Sequence, residues 1–140
     1  MKTFIDANIL ITVLCNEYPR FSACARILSL ADNPGFKVFT SPLCLAIGFY
    51  FSEKKDGRNA AGKKIKLLAE RLQMTAINQK TVSDTTSYKS IHDFEDGLQY
   101  YSAIDSKCKC IVTEDLGDYY FSDIEVLNAR DFLLKYAVKK

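Results

Sequence analysis

Short apolar runs alternate with helical periods along nearly the whole chain, and this alternation limits the fold more than any other feature. A chain that repeats strand and helix in that order builds an α/β domain around a parallel sheet. The first strand is predicted at Thr3–Ile5, ending at Asp6. A helix follows over Asn8–Asn16, with Ile9, Leu10, Val13 and Leu14 on one face. After Pro19, a second helix places Phe21, Cys24, Leu28 and Ala31 in register, and Asn33-Pro34-Gly35 turns the chain. Lys37–Thr40 is the second strand. Ser41 then Pro42 opens a helix to about Lys54, a hydroxyl cap followed by Pro at the first helical position. Its residues are apolar nearly all round, which predicts burial on more than one side.

Past the Lys55-Asp56-Gly57 turn, Ala61, Ile65, Leu68 and Leu72 mark an amphipathic helix, and Met74–Ile77 is the third predicted strand. Residues 78–90 are polar with a weak helical pattern. Ser90 and Asp93 form a capping-box pattern before a helix whose apolar face holds Phe94, Leu98, Tyr101 and Ile104. Cys110–Thr113 is the fourth strand and Glu125–Leu127 the fifth, and Asn128 caps a last helix with Phe132, Leu133 and Tyr136. The 140 residues suit a single domain over 1–140.

Charge and cysteine usage remove several function classes. The net charge is only +2, so bulk electrostatics makes no case for nucleic acid, and any such case must be local. Lys54, Lys55, Arg58, Lys63, Lys64 and Lys66 form a local basic run. Lys63, Lys64 and Lys66 are its candidate phosphate contacts, against the plainer reading of a solvated helix face. The five cysteines are odd in number and contain no CxxC pair, and there is one histidine, His92, so structural zinc has no ligand set. They read as reduced thiols, and with no signal peptide or membrane span the protein is expected in the cytoplasm. His92 reads as a surface residue at a helix start.

Three acids stand out by position. Asp6 follows the first strand, Asp115 follows the fourth, and Asp96 lies in the first turn of the helix leading into the fourth. Sites in open α/β sheets form beyond the carboxyl ends of the strands, where acids from separate segments converge. Gathered carboxylates repel unless a cation joins them, and Mg²⁺ or Mn²⁺ takes hard oxygen ligands. Each acid also has a purely structural alternative. Asp6 is placed to cap a helix, Asp96 to favour a helix dipole, and Asp93 to complete a capping box. Asp115 and Asp118 are of a type that favours loops and turns.

Four segments in order resemble the PIN domain family. FIDANIL is similar to its first motif, with Asp6 at a strand end and Asn8 two residues on. TSPLCLA resembles the second, a strand running into a helix capped by Ser41. HDFEDGLQYYSA resembles the third and maps to Asp96. CIVTEDLGDYY resembles the fourth, with Thr113 ending a strand and Asp115 two residues on. The resemblance implies a three-layer α/β/α fold with a central parallel sheet of four to five strands. It also implies Mg²⁺- or Mn²⁺-dependent cleavage of RNA at Asp6, Asp96 and Asp115, with Asn8 and Thr113 in the matching motifs; Asp93 and Asp118 are further supporting candidates beside their structural readings. Many small bacterial members are toxins of VapC type silenced by an antitoxin, so RNA and an antitoxin are the implied partners. A homodimer is a further expectation.

One position departs from the family. The Glu usually found six residues after the Ser of the second motif is Ile47 here. Glu53, six residues further on, lies ~9 Å along the axis and about 120° off that face, a poor substitute. Ile47 therefore keeps open a second reading, a PIN-fold module that binds RNA or protein without cutting. A receiver-like phosphoacceptor using Asp6 is disfavoured, because Asp6 has no neighbouring acid.

Overall fold

Backbone pairing explains why the apolar runs are where they are. In the computed structural model, which describes residues 1–137, five strands form one wholly parallel sheet. They are β1 (Lys2–Ile5), β2 (Lys37–Thr40), β3 (Gln73–Met74), β4 (Cys110–Val112) and β5 (Glu125–Leu127). Their order is β3-β2-β1-β4-β5, so β1 is central. Phe4, Ile5, Ile111 and Val112 are wholly buried, as strands covered on both faces require. The last three residues of the expected domain, 138–140, lie outside the described residues.

The helices are α1 (Ala7–Leu14), α2 (Phe21–Ser29), α3 (Pro42–Asp56), α4 (Arg58–Arg71), α5 (Gln79–Ser87), α6 (Phe94–Asp105) and α7 (Ala129–Phe132). With the parallel sheet they give the α/β/α architecture expected from the sequence. The order switches on either side of β1, because the chain moves outward to β2 and β3, then returns to β4 and β5. Carboxyl-end loops of β1 and β4 therefore meet beside one another.

Several local expectations are corrected. The third strand is not Met74–Ile77 but the two residues Gln73–Met74, which pair with Phe39 and Thr40. Thr75 donates one more bond to the Thr40 carbonyl at 2.8 Å. Beyond it the chain turns to Asn78, which caps α5 by a reciprocal bond pattern with Thr81. The weak helical pattern of residues 78–90 is thus a real helix over Gln79–Ser87. The Ser90/Asp93 capping box is replaced by a simple cap, in which Asp93 accepts from the Asp96 amide at 3.0 Å. Ser90 offers only its carbonyl, to the Tyr120 hydroxyl.

Helix α3 is not buried on more than one side. Cys44, Gly48 and Ser52 are its buried interior residues, while Tyr50 and Phe51 are 52% and 43% exposed. Its helix neighbours are α1 and α4. Phe94 is likewise 52% exposed, because the first residue of α6 projects before the helix meets its neighbours.

Gly97 sets how closely α5 approaches α6. A Cβ there would meet Thr85 Cγ2 at 2.4 Å and Ile91 Cγ2 at 3.0 Å. Thr85 cannot swing away, being buried and bonded through its hydroxyl to the Thr81 carbonyl at 2.8 Å. Gly97→Ala is expected to cost about 1–3 kcal/mol, as overpacked cores do. Urea denaturation checks this, and an unchanged midpoint would mean that α5 yields freely.

Candidate functional site

Strand-end geometry brings Asp6, Asn8, Thr113 and Asp115 into one network. Asp6 caps α1, with Oδ1 accepting from the Ala7 amide at 2.8 Å. Its other oxygen accepts from the Thr113 hydroxyl at 3.1 Å. The Thr113 oxygen in turn accepts from the Asn8 amide nitrogen at 2.9 Å and from the Asp115 backbone N–H at 3.1 Å. Asn8 also donates to Asp115 Oδ2 at 3.3 Å and accepts from the Glu114 N–H at 3.1 Å. Asn8 thus joins the end of β1 to the end of β4, a bridge of two chain segments more than a hundred residues apart. Glu114 turns away, toward the Ala129 amide and Arg20.

Asp96 joins this group through its field rather than through hydrogen bonds. Burial, then the charges of Asp93, Asp118, Asp6 and Glu95, push its carboxyl up to about 8. Asp6 is also raised, chiefly by burial and least by Asp115, while its bonds from Ala7 and Thr113 act the other way. Burial and neighbouring acids raise Glu95 and Asp118 as well. Asp118 sits in the 3₁₀ turn Leu116–Tyr119, its amide bonded to the Asp115 carbonyl at 3.1 Å, as a turn acid would be. Asp93 serves as the cap of α6.

Among the described residues, no three His, Cys, Asp or Glu side chains are drawn together as closely as a bound ion would hold them. The acids instead stand apart, and Asp6, Glu95, Asp96 and Asp118 are raised in part by the like charges near them. The donor set is nevertheless that of a hard cation: carboxylate oxygens from three segments, with no free thiolate or imidazole among them. The nearest thiol, Cys44, stays protonated, its pKa pushed up to about 12 by burial and Asp6.

Mutual repulsion has a pH consequence. An acid with a raised folded-state pKa keeps its proton in the folded protein after the unfolded chain has released it. Metal-free stability is therefore expected to fall as pH rises from about 4 to about 8, the interval spanned by Asp96. Thermal melts over that range check the slope, and Asp96→Asn should flatten it. A melting temperature that climbs toward pH 8 would contradict this electrostatic picture.

Of the basic residues, Lys64 is diverted. Its ammonium group pairs with Asp56 at 2.7 Å and donates to the Leu14 carbonyl at 3.0 Å, so it ties α4 to the end of α1. Lys63 and Lys66 are exposed on α4. His92 is exposed and stacks on Tyr120 at 5.8 Å between ring centroids.

Two features escaped the sequence reading. Gln99, wholly buried on α6, receives the Ser41 hydroxyl and links the start of α3 to the Asp96 helix. Gln99 shares its helix face with Glu95, Asp96 and Ser102, so no local pattern marked it as buried. Tyr119 is 2% exposed, and nothing in the sequence separates it from Tyr120 next to it. Ile47 is half-buried and packs against the core.

Residues 2–117 match the PIN domain family. Among curated proteins, the chain is 25% identical to Ribonuclease VapC1 of Aquifex aeolicus, over 94% of this chain and 92% of the relative. Among solved structures it is similar to VapBC2 from Rickettsia felis, bound to a promoter DNA fragment. There the TM-score is 0.68 at 17% identity, covering 91% of this chain and 98% of the other. VapBC-1 from nontypeable Haemophilus influenzae gives a TM-score of 0.69 at 16% identity, with 93% and 99% covered. VapC20 of Mycobacterium tuberculosis, a sarcin-ricin loop cleaving toxin, gives 0.63 at 15% identity, with 78% and 86% covered.

Proposed function

This chain belongs to the PIN domain family, and from that premise we propose that it is a metal-dependent ribonuclease, the toxin of a toxin–antitoxin pair. The observation that carries the reading is the bonded group Asp6–Thr113–Asn8–Asp115 at adjoining strand ends, with Asp96 coupled to it by charge. Asp6, Asp96 and Asp115 would hold Mg²⁺ or Mn²⁺. Such an ion, when bound, lowers the pKa of water and offsets the charge of a phosphate.

The chain's own side chains divide the remaining work. Thr113 donates to Asp6 and so favours its ionised form despite burial. Asn8 fixes one Asp115 oxygen, and the other accepts no hydrogen bond among the described residues. Asp93 holds the first turn of α6 through the Asp96 amide, which sets where the Asp96 carboxyl begins. Burial and the neighbouring acids hold the Asp96 carboxyl up at about 8, a cost that a bound cation would offset.

A relative that is itself a ribonuclease, and a fold neighbour that is a sarcin-ricin loop cleaving toxin, support this reading. The VapBC structures support an antitoxin as partner. Exposed Tyr50 and Phe51 on α3 and Leu67 on α4 offer apolar surface to a protein partner, an antitoxin or a second copy of the chain. Among the described residues no helix is long and apolar enough to cross a membrane, and we place the protein in the cytoplasm as part of the proposal. Ile47 favours the second reading, a PIN-fold module that binds RNA or protein without cutting it.

The test is incubation of metal-free protein with single-stranded RNA, with Mn²⁺ or with excess EDTA. Cleavage in Mn²⁺ alone is the expected result. RNA binding without cleavage in either condition would transfer the case to the non-cutting module.

A further inference from the structure

The amino ends of the strands carry the opposite charge from the carboxyl ends. Lys2 opens β1 and Lys37 opens β2, and the two are register partners. On the other side of Lys2 stands Lys109, whose amide donates to the Lys2 carbonyl at 2.8 Å. Three lysines thus lie in one row, with about 4.8 Å from each strand to the next. Lys107 joins them from the turn that ends α6. With Met1 and Pro34, the four lysines line a surface cleft of ≈ 440 Å³ that no carboxylate enters. None of the four has an ion-pair partner among the described residues. Asp32 and Asp105, close by in the chain, are committed to Arg71 and Lys80.

This arrangement carries two costs. Like charges in one row repel. Lys107 also sits at φ 64, in the left-handed region. It closes the end of α6, where its amide donates to the Ile104 carbonyl at 2.9 Å and the Cys108 amide to the Ala103 carbonyl at 3.0 Å. Glycine is the usual residue at that place in such a helix end, because it has no Cβ to strain. A lysine there keeps a charge at the cleft where backbone preference alone would remove the side chain. Lys2 is held at the cleft as well, its ammonium 5.8 Å from the Phe39 ring centroid and 3.5 Å from the Ser106 carbonyl.

A chain of phosphates is the anion that answers a row of ammonium groups. The carboxylate network repels phosphate in the absence of a cation, so affinity for a polyanion has to arise elsewhere. The basic run on α4 and the end of α3 is partly used up. Lys54 lies over the Tyr50 ring at 4.3 Å, Lys55 donates to the Cys15 carbonyl, and Lys64 pairs with Asp56. Lys37, Lys107 and Lys109 are exposed and not so used. We propose that this cleft is a second nucleic-acid contact, which holds the phosphates of a single RNA strand at the sheet edge opposite the carboxylates. The choice of RNA rests on the ribonuclease reading, whereas the row of unpaired lysines stands without it. Lys2 and Asp6 lie at the two ends of β1, ~13 Å apart along an extended strand, within the span of one RNA molecule.

The test is fluorescence anisotropy of a labelled single-stranded RNA in EDTA over a range of KCl concentrations. EDTA keeps binding separate from cleavage. Lys37→Gln/Lys109→Gln is compared with Arg26→Gln/Arg130→Gln, which removes the same charge from exposed positions outside the cleft. The cleft pair is expected to weaken RNA binding about tenfold at low salt and to make the salt dependence shallower by about 1.4, the value for two phosphate contacts on a single strand. Lys107→Gly is expected to raise the melting temperature and still weaken RNA binding, a combination that a purely structural lysine would not give. Unchanged affinity and slope in the cleft pair overturn the proposal, as does an equal change in the control pair. Displacement of the RNA by sodium triphosphate at matched phosphate concentration overturns the RNA assignment in favour of a free polyphosphate. Cleft-dependent binding with no cleavage on adding Mn²⁺ supports the cleft and counts against the ribonuclease. Cleavage in Mn²⁺ with binding indifferent to the cleft does the reverse.

Discussion

Asp6→Asn should lower RNA cleavage by about 10³-fold, the size expected when a charged group at a reacting centre is lost, while the protein stays folded. Asn is as good a helix cap as Asp, so α1 keeps its start and the Ala7 amide keeps its partner. With the amide oxygen on Ala7, the Thr113 hydroxyl faces the new NH₂ group and loses this acceptor. What disappears is one negative charge in a site where that charge is buried and repelled by other acids. Metal-free Asp6→Asn is therefore expected to melt at or above the wild-type temperature. The check is kcat/KM on single-stranded RNA in Mn²⁺, alongside thermal melts. Activity within a few-fold of wild type in a folded variant would remove Asp6 from the chemistry.

Ile47→Glu should tighten Mn²⁺ binding by about tenfold or more, because cation affinity follows the number of charged oxygen ligands. The position is suited to it. Cys44 lies against Asp6, with 4.0 Å from its sulfur to Oδ1. Ile47 is three residues further along α3, ~4.5 Å up the axis and about 60° round from Cys44. A carboxylate there can reach toward the same charge. Two costs accompany the gain. Ile47 packs against the core, and removing its half-buried surface costs about 1–2 kcal/mol. A further acid also adds repulsion when no cation is present. The metal-free variant should melt lower than wild type, and Mn²⁺ should restore more than the difference. A variant destabilised equally with and without Mn²⁺ would make Ile47 a core residue and the alignment of α3 wrong.

How legible the site was from sequence depends on what kind of signal each residue carried. Asp6, Asn8, Thr113 and Asp115 could be read because they sit at strand ends, and a buried parallel strand announces itself by an apolar run that stops. The Ser41-Pro42 start of α3 was equally plain, because capping is local chemistry. Depth was not legible. Periodicity made α3 apolar all round, but only the fold decides how many neighbours a helix has, and Tyr50 and Phe51 face water. The short β3 failed for a related reason, since an edge strand extends only as far as its one partner offers bonds. The basic run on α4 was visible as composition, yet Lys64 is used to fasten α4 to α1, a long-range pairing that no local pattern encodes. Gln99 and Tyr119 were missed because their burial comes from what packs beside them.

The central claim is that Asp6, Asp96 and Asp115 hold one divalent cation between them. It is tested most directly by calorimetric titration of MnCl₂ into the metal-free protein at constant pH, with wild type beside Asp6→Asn, Asp96→Asn and Asp115→Asn. The account predicts one Mn²⁺ per wild-type chain and markedly weaker binding in each of the three variants. Binding of equal strength in wild type and all three folded variants would contradict it.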